Sequence, residues 1–547
     1  MGLAAFFLAC NVTGSIHYPP AQNAGMGFRF VFPAKIVAWH RIGNHDPIMK
    51  SLLRSFWPWL AAGLSGLLLV FCFAPYEQDW LVWLALIPWL LVAWFGKLSA
   101  WKRFAAGWIG GFFFFGMTFY WLGKVTASGW LGLTCYLAIY PAIWTWLAGL
   151  PACRIPLSTP QPGQSPWLRS ITSIAVAVTL ASAWALLEWL RGCLFGGFGW
   201  NGLGVALYAN IPFVQLTSIG GVPFLSWLIV FANVIVVTTV ARLIAEAGRL
   251  TFASRSDFTF GLALVLGSFS YGLSLSFDKT NDREVKVSLI QAATARDPLR
   301  EYVKLSSLAL LQSPDVIIWP ESATDSPLLD SLEQLKKIAA EYELSLDSVK
   351  AWLITGSQEN SPDGSYNSAY AIAPGLQGLQ TYRKRHLLPF YESDFAPGKS
   401  AAPLWLIGSD TRFGPLICIE DTIPAHAKDN VAAGANILLN LTDDGLFADR
   451  VVERQHFLNA LFRAPETGLP LIRSSHTGIT AFIDRQGRIL QKLEPANAGI
   501  LTGKIAFRAR PPQTFFSQFG FIFPIIWAGW IGLRFLLCRK NKPYPPM

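Results

Sequence analysis

The chain is 547 residues long, with 52% hydrophobic residues, 14% charged residues and a mean hydropathy of +0.37, whereas an ordinary soluble domain carries about 25% charged residues. These values exclude a single soluble globule, a disordered chain, a collagen and a small disulfide scaffold. The net charge of +10 is unevenly placed: residues 1–280 hold 16 Lys and Arg against 7 Asp and Glu, residues 281–515 hold 24 against 27, and residues 516–547 hold 4 against none. The basic excess therefore belongs to the apolar parts, which points to charge flanking a membrane and away from nucleic acid.

Residues 1–48 fit poorly with the rest of the chain. Met1 to Cys10 has no basic n-region and is too short for a signal peptide, Phe6 spoils a myristoylation pattern, and Phe7 stands where a lipobox ending at Cys10 would want Leu. Translation is expected to begin at Met49, leaving residues 1–48 as an extension of doubtful relevance.

A bilayer core takes about 20 mostly apolar residues per helix. The chain has eight such stretches: Phe56–Phe73, Trp80–Phe95, Phe104–Leu122, Gly129–Gly149, Ile171–Leu190, Val222–Ala241, Phe258–Leu275 and Phe519–Leu537. Lys50 and Arg54, then Lys97, Lys102 and Arg103, then Arg154 and Arg169, then Arg242, Arg249 and Arg255, and finally Arg539, Lys540 and Lys542 fall in alternate loops. Cytoplasmic loops are enriched in such residues, so the expected N-terminus is cytoplasmic and the segment after the seventh stretch lies on the other side. The expected organisation is a membrane domain of seven transmembrane helices at 49–280, an extracytoplasmic catalytic domain at 281–515, and an eighth helix with a basic cytoplasmic tail at 516–547.

The segment from 281 to 515 has the texture of a layered α/β domain. Val285–Gln291, Val316–Trp319, Trp352–Gly356, Leu416–Ile419 and Asn436–Leu441 are short β-type runs, and Leu328–Tyr342, Pro424–Ala433 and Arg450–Ala464 are helical segments between them.

Cys418 alone among the seven cysteines lies in this segment, and no CxxC pair exists, which removes the usual zinc spacings. It ends a β-run that turns towards a helix, an elbow that exposes a side chain and backbone N–H groups; a buried small residue at a strand end is the competing reading. A nucleophilic Cys needs a base or a cation. His386, His426, His456 and His476 stand in no known Cys/His pattern. Glu321, in WPES directly after the run VIIW, and Lys384, in TYRKRHLLPFYE together with Glu392, offer a different partnership. Taken singly, each is as readily a solvated surface charge.

The order WPE, then YxK followed eight residues later by Glu392, then Cys418 with Glu420 two residues on, resembles the Glu-Lys-Cys triad of the nitrilase superfamily. With seven apolar stretches before it and one after, the chain resembles a bacterial apolipoprotein N-acyltransferase from about Met49 to its end. FAPY (Phe73–Tyr76), EWLRG (Glu188–Gly192), RQHF (Arg454–Phe457), RAPE (Arg463–Glu466) and LIRSSHTGITAFID add to the likeness. It departs from the family pattern at Leu446, where a Trp is usual, at His476, where Asn is common, and at Ile419, where an aromatic is frequent.

The resemblance implies a nitrilase-like αββα sandwich inserted between the seventh and eighth helices of an all-α polytopic membrane domain in the bacterial inner membrane, with the sandwich periplasmic. It implies that an acyl chain passes from a phospholipid to Cys418 and then to the α-amino group of a diacylglyceryl-cysteine at the N-terminus of an apolipoprotein. Glu321 is then the general base, Lys384 the stabiliser of thiolate and oxyanion, the Ile419 N–H part of the oxyanion hole, and Glu392 and Glu420 groups that orient Lys384 or the amine. No metal or diffusible cofactor is expected, no nucleic acid is bound, and a monomer is expected. Glu188 and Arg191, three residues apart near the end of the fifth stretch, are placed to pair on one helix face. The rival reading is a membrane-tethered nitrilase-type amidase hydrolysing a small amide.

Overall fold

The computed structural model describes residues 47–155, 165–246, 251–277, 282–293, 295–324, 326–389, 391–445 and 449–540. The described residues from Leu52 onward form one compact unit. Most of the 1–48 extension, and Leu446, lie outside the described residues.

All eight apolar stretches fold as helix. The first three lie in Pro47–Phe71, in a 3-10 turn Asp79–Trp83 followed by Ile87–Phe95, and in Ala100–Thr118. The fourth divides into Ala127–Leu137 and Ile139–Ala148, with Pro141 seated in the first turn of the second piece, where a missing N–H costs nothing. The others lie in Pro166–Arg191, Thr217–Ala245, Phe252–Ser276 and Ile522–Lys540. Among the described residues five helical segments are long and apolar enough to cross a membrane, and Ser55–Phe71 and Asp79–Phe95 are shorter apolar helices. Leu262, Leu266, Ile525, Ile526, Leu533 and Leu536 stand exposed on Phe252–Ser276 and Ile522–Lys540, a surface suited to lipid.

Small residues bring these helices together, as they must where lipid offers no hydrophobic drive between helices. A Cβ on Gly66 would lie 2.2 Å from the Gly110 carbonyl oxygen, and one on Gly110 would lie 2.3 Å from that of Ala62. On its other side Ala100–Thr118 presents Gly107 and Gly111 to Thr145, Ala142, Pro141 and Ala138. The helix Thr217–Ala245 is broken at Gly220 and Gly221, the latter at φ +70°, a conformation that Gly enters without a Cβ clash.

The charged segment forms two six-stranded sheets. The strands are β1 (Arg283–Gln291), β2 (Val316–Ile318), β3 (Trp352–Ser361), β4 (Gly364–Ile372), β5 (Leu379–Arg383), β6 (Leu404–Trp405), β7 (Arg412–Ile417), β8 (Ile437–Thr442), β9 (Leu471–Ser475), β10 (Thr480–Ile483), β11 (Ile489–Leu493) and β12 (Gly499–Phe507). One sheet has the order β12-β1-β2-β3-β4-β5 and the other β11-β10-β9-β8-β7-β6. β1, β2 and β3 are mutually parallel, as are β7, β8 and β9, and antiparallel strands flank both triplets. Val287, Leu289, Ile318 and Ile354 of one sheet interdigitate with Phe413, Ile437, Leu439, Leu441 and Ile472 of the other. Ile317 faces outward onto the helices Pro298–Leu310 and Leu328–Glu341, and Leu438 faces outward onto Pro424–Ala432 and Arg450–Leu461. The period of two along each strand thus produces the expected αββα layering.

The second outer layer merges with the membrane helices in one apolar core. The helix Arg450–Leu461 supplies the polar docking. Its preceding residue Asp449 accepts from Lys124 Nζ at 2.6 Å, Arg454 grips Glu77 at 2.7 and 3.0 Å, Gln455 Nε2 donates to the Thr118 carbonyl at 3.0 Å, and Asn459 Nδ2 donates to Asn201 Oδ1 at 2.9 Å. Glu466 accepts from the Val222 N–H at 3.1 Å, just past the Gly220–Gly221 break, and pairs with Arg463 at 2.7 Å. The RQHF and RAPE segments therefore dock the sandwich on the membrane helices.

Candidate active site

Three strand ends converge on one place. Glu321 follows β2 and is held there by Trp319 N–H to the Ile354 carbonyl (2.8 Å) and Gly356 N–H to the Pro320 carbonyl (2.9 Å). Lys384 is the first residue past β5, its N–H bonded to the Asn367 carbonyl at 2.8 Å. The β7 run read from the sequence as Leu416–Ile419 ends two residues earlier, at Ile417: Cys418 takes φ +51° and opens a 3-10 turn, Cys418–Thr422. That left-handed φ is costly for a residue with a side chain and is typical of functional turns. Ile419 is the next residue of the turn.

Lys384 Nζ donates to Glu392 Oε1 at 2.8 Å and lies 3.3 Å from Glu321 Oε1, with all three side chains buried. Asn367, on β4, completes the arrangement: its Nδ2 donates to Glu321 at 2.8 Å and to Glu392 at 3.0 Å. The other Glu321 oxygen accepts from the Asp443 N–H at 2.9 Å, and the second Glu392 oxygen from the Leu388 N–H at 2.7 Å. Glu392 is thus the near partner of Lys384. Asn367 escaped the sequence reading, and the only signal it gave was a polar residue inside a β-run.

Glu420 sits differently. Its carboxylate accepts from Ile417 N–H (2.8 Å), Tyr382 Oη (2.8 Å), Arg385 N–H (2.6 Å) and His386 N–H (3.0 Å). Four donors saturate it, so it ties the Lys384 loop to the Cys418 turn.

Burial pushes the Cys418 thiol well above its ordinary range, reinforced by Glu321 and opposed by Lys384. Burial also lifts the Glu321 carboxyl, against the pull of Lys384 and Asn367. Burial alone would lower the Lys384 ammonium, yet Glu321, Cys418 and Glu392 outweigh it and raise it. These influences favour a protonated thiol and a charged ammonium, and they bring the Glu321 carboxyl, raised by burial, closer to the range of a general base.

Other residues singled out in the sequence lie elsewhere. His476 Nδ1 is hydrogen-bonded to the Tyr302 hydroxyl. Glu188 accepts from Trp184 Nε1 (2.8 Å) and the Leu203 N–H (2.7 Å), while the Arg191 guanidinium stands 5.2 Å from the centre of the Phe115 ring. Among the described residues the two form no ion pair; both line a cavity with Leu69, Phe114 and Tyr140.

Two stacked mixed sheets between helical layers, with Glu, Lys and Cys at converging strand ends, define a nitrilase-type domain, here carried on apolar helices. Residues 279–510 match the carbon-nitrogen hydrolase family model, and residues 65–235 match that of the apolipoprotein N-acyltransferase N-terminal domain. The two models match successive parts of the chain, which is similar to apolipoprotein N-acyltransferases over most of its length. It is 29% identical over 517 residues to the apolipoprotein N-acyltransferase of Geobacter metallireducens, covering 85% of this chain and 92% of that one. The Haemophilus influenzae enzyme of the same name matches with the same identity and coverage. A crystal structure of a carbon-nitrogen hydrolase from Helicobacter pylori G27 aligns with 46% of this chain and 94% of its own, at 18% identity and a TM-score of 0.34.

Proposed function

We propose that this chain is an N-acyltransferase that moves an acyl chain from a membrane phospholipid, through a thioester on Cys418, to the α-amino group of the N-terminal diacylglyceryl-cysteine of apolipoproteins. The observation that carries the residue assignment is the buried Lys384 ammonium held between Glu321 and Glu392 beside the Cys418 turn.

In the first half-reaction Glu321 takes the thiol proton as Sγ attacks the ester carbonyl, and Lys384 with the Ile419 N–H stabilises the oxyanion. Collapse expels the lysophospholipid alkoxide, which takes the proton back from Glu321. In the second half the substrate amine attacks the thioester, Glu321 removes its proton, and the thiolate leaves beside Lys384 and takes that proton back from Glu321, which restores the starting thiol and carboxylate. Glu392 and Asn367 hold Lys384 and Glu321 in place, and Glu420 keeps the two loops in register. The chemistry is ping-pong and calls for no metal.

Both substrates are anchored in lipid, which gives the helices their purpose. We take the protein to be a monomer spanning the inner membrane eight times, with a membrane domain at 49–280, a periplasmic catalytic domain at 281–515 and a last helix and basic tail at 516–547.

The test separates the two halves. Given phospholipid and no apolipoprotein, the wild-type protein should accumulate an acyl group on Cys418 that hydroxylamine releases. Cys418→Ala should form none and leave diacylated lipoprotein unprocessed, and Lys384→Ala should lose about 100-fold or more. Triacylated product from Cys418→Ala, or the acyl group on another residue, would overturn the assignment. Steady release of free acid without a thioester would indicate a hydrolase.

A further inference from the structure

A second buried cluster of charge lies against the Cys418 turn. His456 places Nδ1 2.7 Å from Asp444 Oδ1 and Nε2 2.9 Å from Asp421 Oδ1. Arg473 bonds the remaining oxygen of each carboxylate: Nη1 donates to Asp421 Oδ2, and Nη2 to Asp444 Oδ2 at 2.9 Å. Asp421, Asp444, His456 and Arg473 are all buried. Carboxylates only accept, so two such contacts leave the ring with a proton on each nitrogen. Arg473 Nη2 also lies 3.2 Å from Nδ1, but a guanidinium only donates, and the shorter contact to Asp444 fixes the proton on that nitrogen. With the ring cationic the four charges cancel, as buried charges must be paired to be tolerated.

The cluster grips the turn in two ways. Asp421 belongs to the turn itself, three residues past Cys418. Arg473 Nη1 also donates to Asn440 Oδ1 at 2.9 Å, and Asn440 Nδ2 donates to the Cys418 carbonyl at 3.1 Å. The free face of the imidazole is covered by Trp200 of the membrane-side chain, with ring centres 5.2 Å apart and planes at 24°, and Trp200 Nε1 donates to Thr422 Oγ1, at the end of the same turn, at 3.2 Å.

We propose that His456 is a positioning residue: clamped as a cation between Asp421 and Asp444, it holds the Cys418 turn in its left-handed conformation and keeps the charge beneath the thiol balanced. The Asp444 charge acts on Cys418 directly, raising the thiol. Asp421 and Asp444 lift the imidazole to about 9 against burial and Arg473. The charged groups around the ring are Asp421, Asp444 and Arg473 in contact, with Cys418, Glu453 and Arg463 next to these. This inference rests on the reading of Cys418 as the nucleophile.

The test reads the thiol itself, by site-resolved alkylation with iodoacetamide on the full-length protein in detergent. His456→Gln leaves one uncompensated carboxylate under the turn, so the thiolate is disfavoured. The alkylation profile should move up by about one pH unit, which is about tenfold in rate at a fixed pH below the titration, with thioester formation falling in parallel. Pairing it with Asp444→Asn returns the cluster to neutrality and should recover most of the loss; a merely structural role predicts that the second change makes matters worse. Should the variants fail to fold, the wild-type protein still decides: with [15N]histidine, one imidazole should keep both N–H protons until about pH 9. A neutral ring at lower pH, an unmoved alkylation profile, or a double variant no better than the single one would overturn the clamp. Acyl transfer that proceeds without Cys418 would instead remove the reading on which it rests.

Discussion

Asn367 shares one amide between two carboxylates, and on the proposed mechanism that sharing should influence the acidity at which the site begins to work. In the proposed mechanism Glu321 must be ionised to take the thiol proton, and its carboxyl is already raised by burial. The Asn367 amide donates to the ionised form at 2.8 Å. Removing a donor from a charged group costs about 1.5–3 kcal/mol, equivalent to about one to two pH units. Asn367→Leu should therefore shift the acid limb of thioester formation to higher pH by that amount, read by single-turnover labelling across the acid range. The sign is fixed: losing the donor favours the protonated carboxyl, so activity is lost at pH values where wild type still works. An unmoved limb would show that Glu321 is not the titrating base. Glu321 and Cys418 were legible in the sequence because each stands at the end of a β-run, and Lys384 because the order of the three is distinctive. Asn367 and the Asp421, Asp444, His456 and Arg473 cluster were not, because each is a lone polar residue whose partners are distant in sequence; Asn367 and Glu321 are 46 positions apart.

At the scale of elements, the site depends on how closely β3 passes the β2 end. Gly356 packs against the chain at Glu321: a Cβ there would lie 2.5 Å from Glu321 Cα and 2.7 Å from the Pro320 oxygen. Neither is the tip of a flexible side chain, so Gly356→Ala must push the Glu321 backbone aside. Displacements of about 1 Å cost on the order of 100-fold in rate, and we expect a loss of that size in thioester formation, with phospholipid binding and the thermal unfolding profile changed much less. Near-normal turnover would mean that Glu321 need not be held this tightly. Five strands were readable as short β-type runs because β1, β2, β3, β7 and β8 are interior strands that are buried over most of their length. β4 to β6 and β9 to β12 went unread: most lie towards the sheet edges or mix polar and apolar residues, and apart from the parallel β8–β9 pairing they pair through antiparallel contacts that period alone does not reveal. The split of the fourth apolar stretch was likewise hidden, because hydropathy does not resolve a bend between two apolar helices.

For the whole molecule, the docking of the sandwich constrains topology independently of the basic-residue count. Glu77, Lys124, Trp200, Asn201 and Tyr208, all from loops that come after alternate apolar stretches, touch Arg450–Leu461, its preceding Asp449 or the Cys418 turn. Those loops must share one face of the membrane with the sandwich. Lys97, Lys102, Arg103, Arg154 and Arg169 occupy the intervening loops. The Lys124–Asp449 pair, with its lysine exposed, adds little to stability, whereas the two-point Arg454–Glu77 contact, reinforced by Tyr208 Oη at 2.9 Å from Arg454 Nη2, restricts orientation more strongly. Contact geometry and charge asymmetry then predict the same arrangement. A periplasm-active reporter such as a secreted phosphatase should be active when fused after Lys279 and silent when fused after Arg249, and a cytoplasm-active reporter should give the reverse. Replacing Lys97, Lys102 and Arg103 together with Gln should weaken that contrast, because it removes basic anchors from one side while leaving every docking contact intact. Equal signals at the two fusion points in the otherwise unaltered protein would overturn the placement of the sandwich outside the cytoplasm, since the helix Phe252–Ser276 would then not carry the chain across between them.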